Sequence, residues 1–150
     1  MRFTLEEFVT ESNRIEGINN IRSGEIRAHE DFLTQPWHIT SVIALVGVLQ
    51  PGATLRSKPG MNVQVGNHFP LEGGPRMTLR LTTLLEAAEN SDYSPWKIHN
   101  MYETLHPFMD GNGRSGRAIW LKQMGGIEKA PLGFLHHFYY QTLQEVRGVR

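Results

Sequence analysis

Residues 94–117 read SPWKIHNMYETLHPFMDGNGRSGR, and the character of the chain changes half-way through them. The first half has the marks of a helix from Ser94 to Leu105. Ser94 can cap its start, Pro95 sits where a missing N–H costs nothing, and Ile98, Met101, Tyr102 and Leu105 form one apolar stripe. The second half is glycine-rich and runs into a further helix over Gly113 to Met124. Gly111 to Gly116 matches G-x-G-x-x-G, but a dinucleotide fold needs a strand before that pattern and an acid about 20 residues after it. Here a capped helix precedes it, Pro107 interrupts, and the nearest downstream acid, Glu128, comes too early. No G-x-x-x-x-G-K-[ST] phosphate loop occurs in the chain.

What remains is the physics those motifs share. Glycines that let backbone N–H groups approach closely, followed by a helix N-terminus, make a site for phosphate oxygens. Arg114 and Arg117 fall at the start of that helix, three apart on one side, where the macrodipole favours acids rather than cations. An anion between them would remove the conflict, and the planar guanidinium suits phosphate; two solvated surface arginines are the alternative. Asp110 can cap the following helix or, as a hard oxygen ligand, hold Mg²⁺. His106 is a candidate general base, because neutral imidazole accepts a hydroxyl proton near pH 7. Phe108 reads as an anchor for the loop. Together these residues point to phosphoryl or nucleotidyl transfer.

Working outward, Leu5 to Gly17 predicts a helix: Thr4 and Glu7 fit a capping box, Leu5, Phe8, Val9, Ser12 and Glu16 recur at helical spacing, and Gly17 closes the end. Residues 24–35 carry a weaker helical pattern. His38 to Gln50, with the run VIALVGVL, reads as a buried helix ended by Pro51-Gly52. From Leu55 to Pro75 glycine and proline are dense, and the alternation of Asn62-Val63-Gln64-Val65 suggests a short hairpin. Helices are expected over Pro75 to Glu89 and, near the end, Pro131 to Val146. The fold class is mostly α with one hairpin, and residues 1–150 read as one domain.

Composition sets bounds on this reading. At 150 residues one hydrophobic core suffices, and 39% hydrophobic with 20% charged residues is ordinary for a globular domain. A formal net charge of zero gives no electrostatic footprint for nucleic acid. With no cysteine, disulfides, cysteine zinc sites and thiol nucleophiles are absent. Glu6, Glu7 and Glu11 stand where a signal peptide would be apolar, and the apolar run from Val42 to Leu49 is too short to span a bilayer. A soluble, cytoplasmic protein with no membrane or nucleic-acid partner is the expectation.

The twelve residues HPFMDGNGRSGR resemble the full signature of the Fic domain family, H-x-F-x-[DE]-G-N-G-R-x-x-R, at every specified position. The helix with His99, the segment GATLRSKPGMNVQVG and the stretch from Pro70 to Pro75 also resemble that domain, so the likeness covers roughly residues 1–125. The resemblance implies a helical bundle with a β-hairpin flap (55–75) over a helix-loop-helix active site (94–125). It also implies transfer of AMP from ATP, with Mg²⁺, to a Ser, Thr or Tyr hydroxyl of a target protein. By motif position His106 is the base and Asp110 the Mg²⁺ ligand; Gly111, Asn112 and Gly113 supply the anion hole; Arg114 contacts the phosphates and Arg117 the γ-phosphate. At the other end, Ser12 to Gly17, SNRIEG, resembles the family's inhibitory signature [ST]-x-x-x-E-[GN]. An N-terminal inhibitory helix (1–17) is implied, in which Glu16 pairs with Arg117 and denies the γ-phosphate its place. Independently of the family, the helical stripe turns Glu16 inward, where a carboxylate needs a partner.

Three other activities fit the same residues. Phosphotransfer occurs in the related Doc toxins, whose anion-hole glycines are altered; intact Gly111 and Gly113 argue against it. Removal of AMP with Glu16 orienting water, and ATP sensing without turnover, are the others. His136 and His137 are adjacent and form no i, i+4 metal pair. His29, His38 and His68 suggest no site, His99 braces the loop, and Trp37, Trp96 and Trp120 read as core or partly buried aromatics.

Overall fold

Four of the described helices start at a side-chain cap or a proline, and the other two start at glycines with no side-chain cap. In the computed structural model, which describes residues 3–130, there are six: α1 (Leu5–Ile15), α2 (Glu25–Thr34), α3 (Ile39–Leu49), α4 (Pro75–Glu89), α5 (Pro95–Leu105) and α6 (Asn112–Met124). The Thr4 hydroxyl accepts the Glu7 N–H at 3.1 Å, and Ser94 accepts that of Lys97 at 3.2 Å. The His38 imidazole plays the same part for Thr40 at 3.1 Å. Gly17, at φ +77°, closes α1 with paired bonds from its own N–H to Arg14 and from Ile18 to Asn13. The helix expected over Pro131 to Val146, with His136 and His137, lies outside the described residues.

The helix α6 is central. Its residues from Arg114 to Leu121 are all buried, so it has no solvent face over that run. On one side lies the main core, with Phe32, Val42, Leu45, Leu49, Met77, Leu81, Leu85 and Tyr102. On another, Trp120 and Leu121 pack with Phe8 and Val9 of α1. Burying Phe8 and Val9 stabilises the α1–α6 contact by roughly 1.5–3 kcal/mol each. Close approach of α5 to α6 depends on Gly116, where a Cβ would come within 2.6 Å of Glu103 Oε1 and 3.1 Å of Tyr102. Across the same seam the Tyr102 and Ser115 hydroxyls lie 2.7 Å apart.

The segment from Leu55 to Pro75 differs from expectation. Among the described residues no strand forms, and the expected hairpin is reduced to one bridge, Val65 with His68, whose N–H groups bond each other's carbonyls at 2.9 Å. Asn62 to Val65 does not become a strand because its surroundings pair otherwise. The Asn62 side chain accepts the Gly73 N–H at 2.9 Å, and the carbonyls of Met61 and Leu71 accept from the Arg56 guanidinium at 3.1 and 2.8 Å. Extended pairing appears instead between 54–56 and 107–109: Leu55 bridges Phe108, Arg56 N–H bonds Pro107 O, and Met109 N–H bonds Thr54 O, both at 2.9 Å. The segment therefore lies along the glycine-rich loop. No described helix is long and apolar enough to cross a membrane.

Candidate active site

The loop between α5 and α6 is built from the outside in. Phe108 is 1% exposed and joins the main core, anchoring the loop. Asn112, also buried, grips Phe108 from both sides: its Oδ1 accepts the Phe108 N–H at 2.9 Å and its Nδ2 donates to the Phe108 carbonyl at 2.8 Å. The Asn112 side chain is thus a staple for the loop, and what it offers a ligand is backbone. The turn into α6 uses Gly111 at φ +80°, and no side chain caps the helix. Its first N–H groups face the position a negatively charged ligand would take.

A cavity of about 320 Å³ opens there, its lining including Glu16, Gln50, His106, Asp110, Gly113 and Arg114. That volume lies at the lower end of the range of small-molecule sites. Asp110 is exposed beside it, and one of its oxygens accepts the Gly111 N–H at 2.8 Å. It does not cap α6 in the usual way, which needs the N–H of the second or third helical residue. No group of three or more His, Cys, Asp or Glu side chains able to hold a metal occurs among the described residues. A single exposed carboxylate such as Asp110 could hold Mg²⁺ only with phosphate oxygens and water completing the shell.

His106 ends α5 in the left-handed region, at φ 50° and ψ 62°. That conformation costs a side-chain-bearing residue roughly 1–2 kcal/mol, so the surroundings hold it there. Its Nδ1 is enclosed within the fold. Burial lowers its pKa; the Glu103 backbone works against this, Arg56 and His68 lower it further, and Asp110 raises it. The shift favours the neutral ring, the form in which an imidazole can accept a proton.

The two arginines of α6 are not solvated: each is 3% exposed, and each meets a glutamate from the N-terminal part of the chain. Arg117 donates its Nε to Ser12 Oγ at 2.8 Å, and one terminal nitrogen to the Ser12 carbonyl at 2.9 Å and to Glu16 Oε1 at 3.0 Å. A Cβ on Gly113 would overlap Glu16 Oε1, so the carboxylate rests against the first turn of α6. Arg114 lies 3.4 Å from Glu25 Oε1 and donates to Gln50 Oε1 at 2.8 Å. Glu25 is itself buried, and its Oε2 accepts the Arg22 N–H at 2.6 Å and Asn13 Nδ2 at 3.3 Å. The anion that two cations at a helix start demand is here supplied by the protein.

His99 is buried between α5 and α6 with its pKa pushed down to about 4, by burial first, against the Gly116 backbone, and with Arg117 lowering it further. It braces the helices that carry the loop. Four participants gave no sequence signal as site residues: Asn13, Glu25, Gln50 and Arg56. Only the last had a legible oddity, a cation in a stretch otherwise rich in glycine and proline.

A glycine-rich loop, an uncapped helix start and two buried arginines stand together at the start of α6. Residues 76–124, from α4 to the end of α6, match the Fic/DOC family, which supports assigning the chain to the Fic domain family. Ser12, Glu16 and the 55–75 segment lie outside the matched region. No curated protein and no solved structure matched the chain.

Proposed function

We propose that this domain is a protein adenylyltransferase: it transfers AMP from ATP to a Ser, Thr or Tyr hydroxyl of a target protein and is restrained by its own Glu16. The reading is carried by one observation, the Glu16 carboxylate held 3.0 Å from Arg117 against Gly113. A carboxylate at a helix N-terminus and on a buried arginine occupies the kind of position a phosphate takes.

In the reaction so read, the target hydroxyl gives its proton to His106 as its oxygen bonds to the α-phosphorus of ATP. The bond from that phosphorus to the bridging oxygen breaks, and pyrophosphate leaves with the electron pair. The backbone N–H groups of Asn112 and Gly113 hold phosphate oxygens, Arg114 adds positive charge at the cavity wall, and Arg117 receives the γ-phosphate once Glu16 withdraws. Asp110 would hold Mg²⁺ together with the phosphates, which neutralises charge on the leaving group. Positioning and charge neutralisation carry most of such a transfer.

The test is ATP labelled at the α- or γ-phosphorus, incubated with Mg²⁺, the Glu16→Gly protein and a cell extract. Protein-bound label from the α-position alone is expected. Label from the γ-position means phosphotransfer, and no label means a nucleotide sensor. Removal of AMP is a second reading, favoured by the 37% exposed Glu16 side chain facing the cavity, where it can orient water; release of AMP from a pre-modified protein distinguishes it.

A further inference from the structure

A fully buried guanidinium normally finds a carboxylate, and Arg56 does not. It is 0% exposed and among the largest enclosed side chains, yet no ion pair to it forms among the described residues. All its side-chain bonds go to backbone carbonyls. Nε donates to His106 O and a terminal nitrogen to Leu105 O, each at 2.8 Å; the other terminal nitrogen donates to Met61 O at 3.1 Å and Leu71 O at 2.8 Å. Its own N–H bonds Pro107 O at 2.9 Å, and its carbonyl accepts the Gly74 N–H at 3.0 Å.

These partners fall into two groups. Leu105, His106 and Pro107 are the end of α5 and the start of the glycine-rich loop, where helix carbonyls lack partners and carry partial negative charge. Met61, Leu71 and Gly74 are the two arms of the 55–75 segment. One fork-shaped cation thus does two tasks: it replaces the ladder a hairpin would have used, and it caps the turn that sets the direction of the His106 side chain. His68 adds a second tie from the same segment, its Nε2 lying 2.9 Å from Thr104 O. Five donors in a rigid plane suit four divergent carbonyls in a way that a lysine ammonium does not.

We infer that Arg56 is the positioning residue for the His106 base, locking the left-handed turn at the end of α5 to the segment that lies over the loop. The inference rests on the reading of His106 as base. Displacement of a reacting group by about 1 Å costs on the order of 10²-fold in rate. No hydrogen bond of Arg56 among the described residues goes to the first turn of α6, Arg114 or Arg117, so ATP affinity should survive its replacement.

The test uses Glu16→Gly as background and adds Arg56→Lys, Arg56→Met or His106→Ala. Transfer rate at saturating ATP, ATP affinity by calorimetry and thermal unfolding are measured on each. Arg56→Lys should keep ATP affinity within about twofold while the rate falls about 10²-fold, and adding His106→Ala to it should cost little more than His106→Ala alone. A folded Arg56→Lys protein with full rate overturns the inference, and so does a loss of ATP affinity equal to the loss of rate. If His106→Ala itself keeps full rate, the base reading falls first and takes the inference with it. Should both Arg56 variants fail to fold, ¹⁵N NMR of the background protein decides: the Arg56 Nε–H should be protected from exchange and shift when His106 is replaced. Exchange as fast as that of a solvated arginine, or no shift, contradicts the tie.

Discussion

At the scale of single residues, the proposed base His106 and the proposed Mg²⁺ ligand Asp110 can be tested separately. His106→Ala should lower transfer by on the order of 10²–10⁴ while ATP binding persists, because the base acts on the target hydroxyl; rate and calorimetric affinity measured on one preparation check this. Burial, with Arg56 and His68, lowers the His106 pKa, so the neutral base persists to lower pH. The rate should therefore rise with pH through a limb centred below 6.5, the ordinary histidine value. A limb centred above that value would mean another group titrates. Asp110→Ala should remove most Mg²⁺-dependent activity yet leave the melting temperature nearly unchanged, since the side chain is exposed and, among the described residues, bonds only the neighbouring Gly111 N–H. Undiminished activity would deny it the ligand role.

At the scale of elements, α1 and α2 deliver two glutamates to α6, and only one of them was legible in advance. Glu16 continues the stripe of Phe8, Val9 and Ser12 and sits before a helix-closing glycine, so helical spacing alone turns it inward. Glu25 has no such mark: its partner Arg114 lies 89 residues away, and nothing local shows that its carboxylate also takes the Arg22 N–H and Asn13. The six described helices were legible to within a residue or two, helped by local signals such as Thr4, Ser94, Pro75 and Pro95. The 55–75 segment was not, because its alternation is overruled by Arg56 and Asn62, whose bonds reach across the loop. Glu25→Gln should leave Arg114 buried without its main counter-charge and cost roughly 3–5 kcal/mol, the penalty for breaking a buried pair. Urea unfolding measures it; a change under about 1 kcal/mol, as for a surface pair, would mean Gln50 and water suffice for Arg114.

At the scale of the molecule, α6 lies between two cores, and the smaller one holds α1 in place. Phe8→Ala should cost about 3–5 kcal/mol and, in molecules still folded, loosen α1 and raise activity. His99, neutral in the native state with a pKa of about 4, makes the fold acid-sensitive. Between pH 6.5 and 4 the unfolded chain takes up a proton the native state refuses, so stability is full above 6.5 and is lost as the pH falls, by at most on the order of 3 kcal/mol. Replacing His99 by Gln should flatten that slope. The central claim, that Glu16 holds Arg117 in place of a phosphate, is tested most directly by the rate of AMP incorporation from ATP in Glu16→Gly against the unmodified sequence, with melting temperatures alongside. A gain of at least about tenfold is expected, equivalent to ~1.4 kcal/mol between the restrained and competent states, with loss of that gain when Arg117→Ala is added. A folded Glu16→Gly protein that gains nothing, or a gain that survives without Arg117, would contradict it.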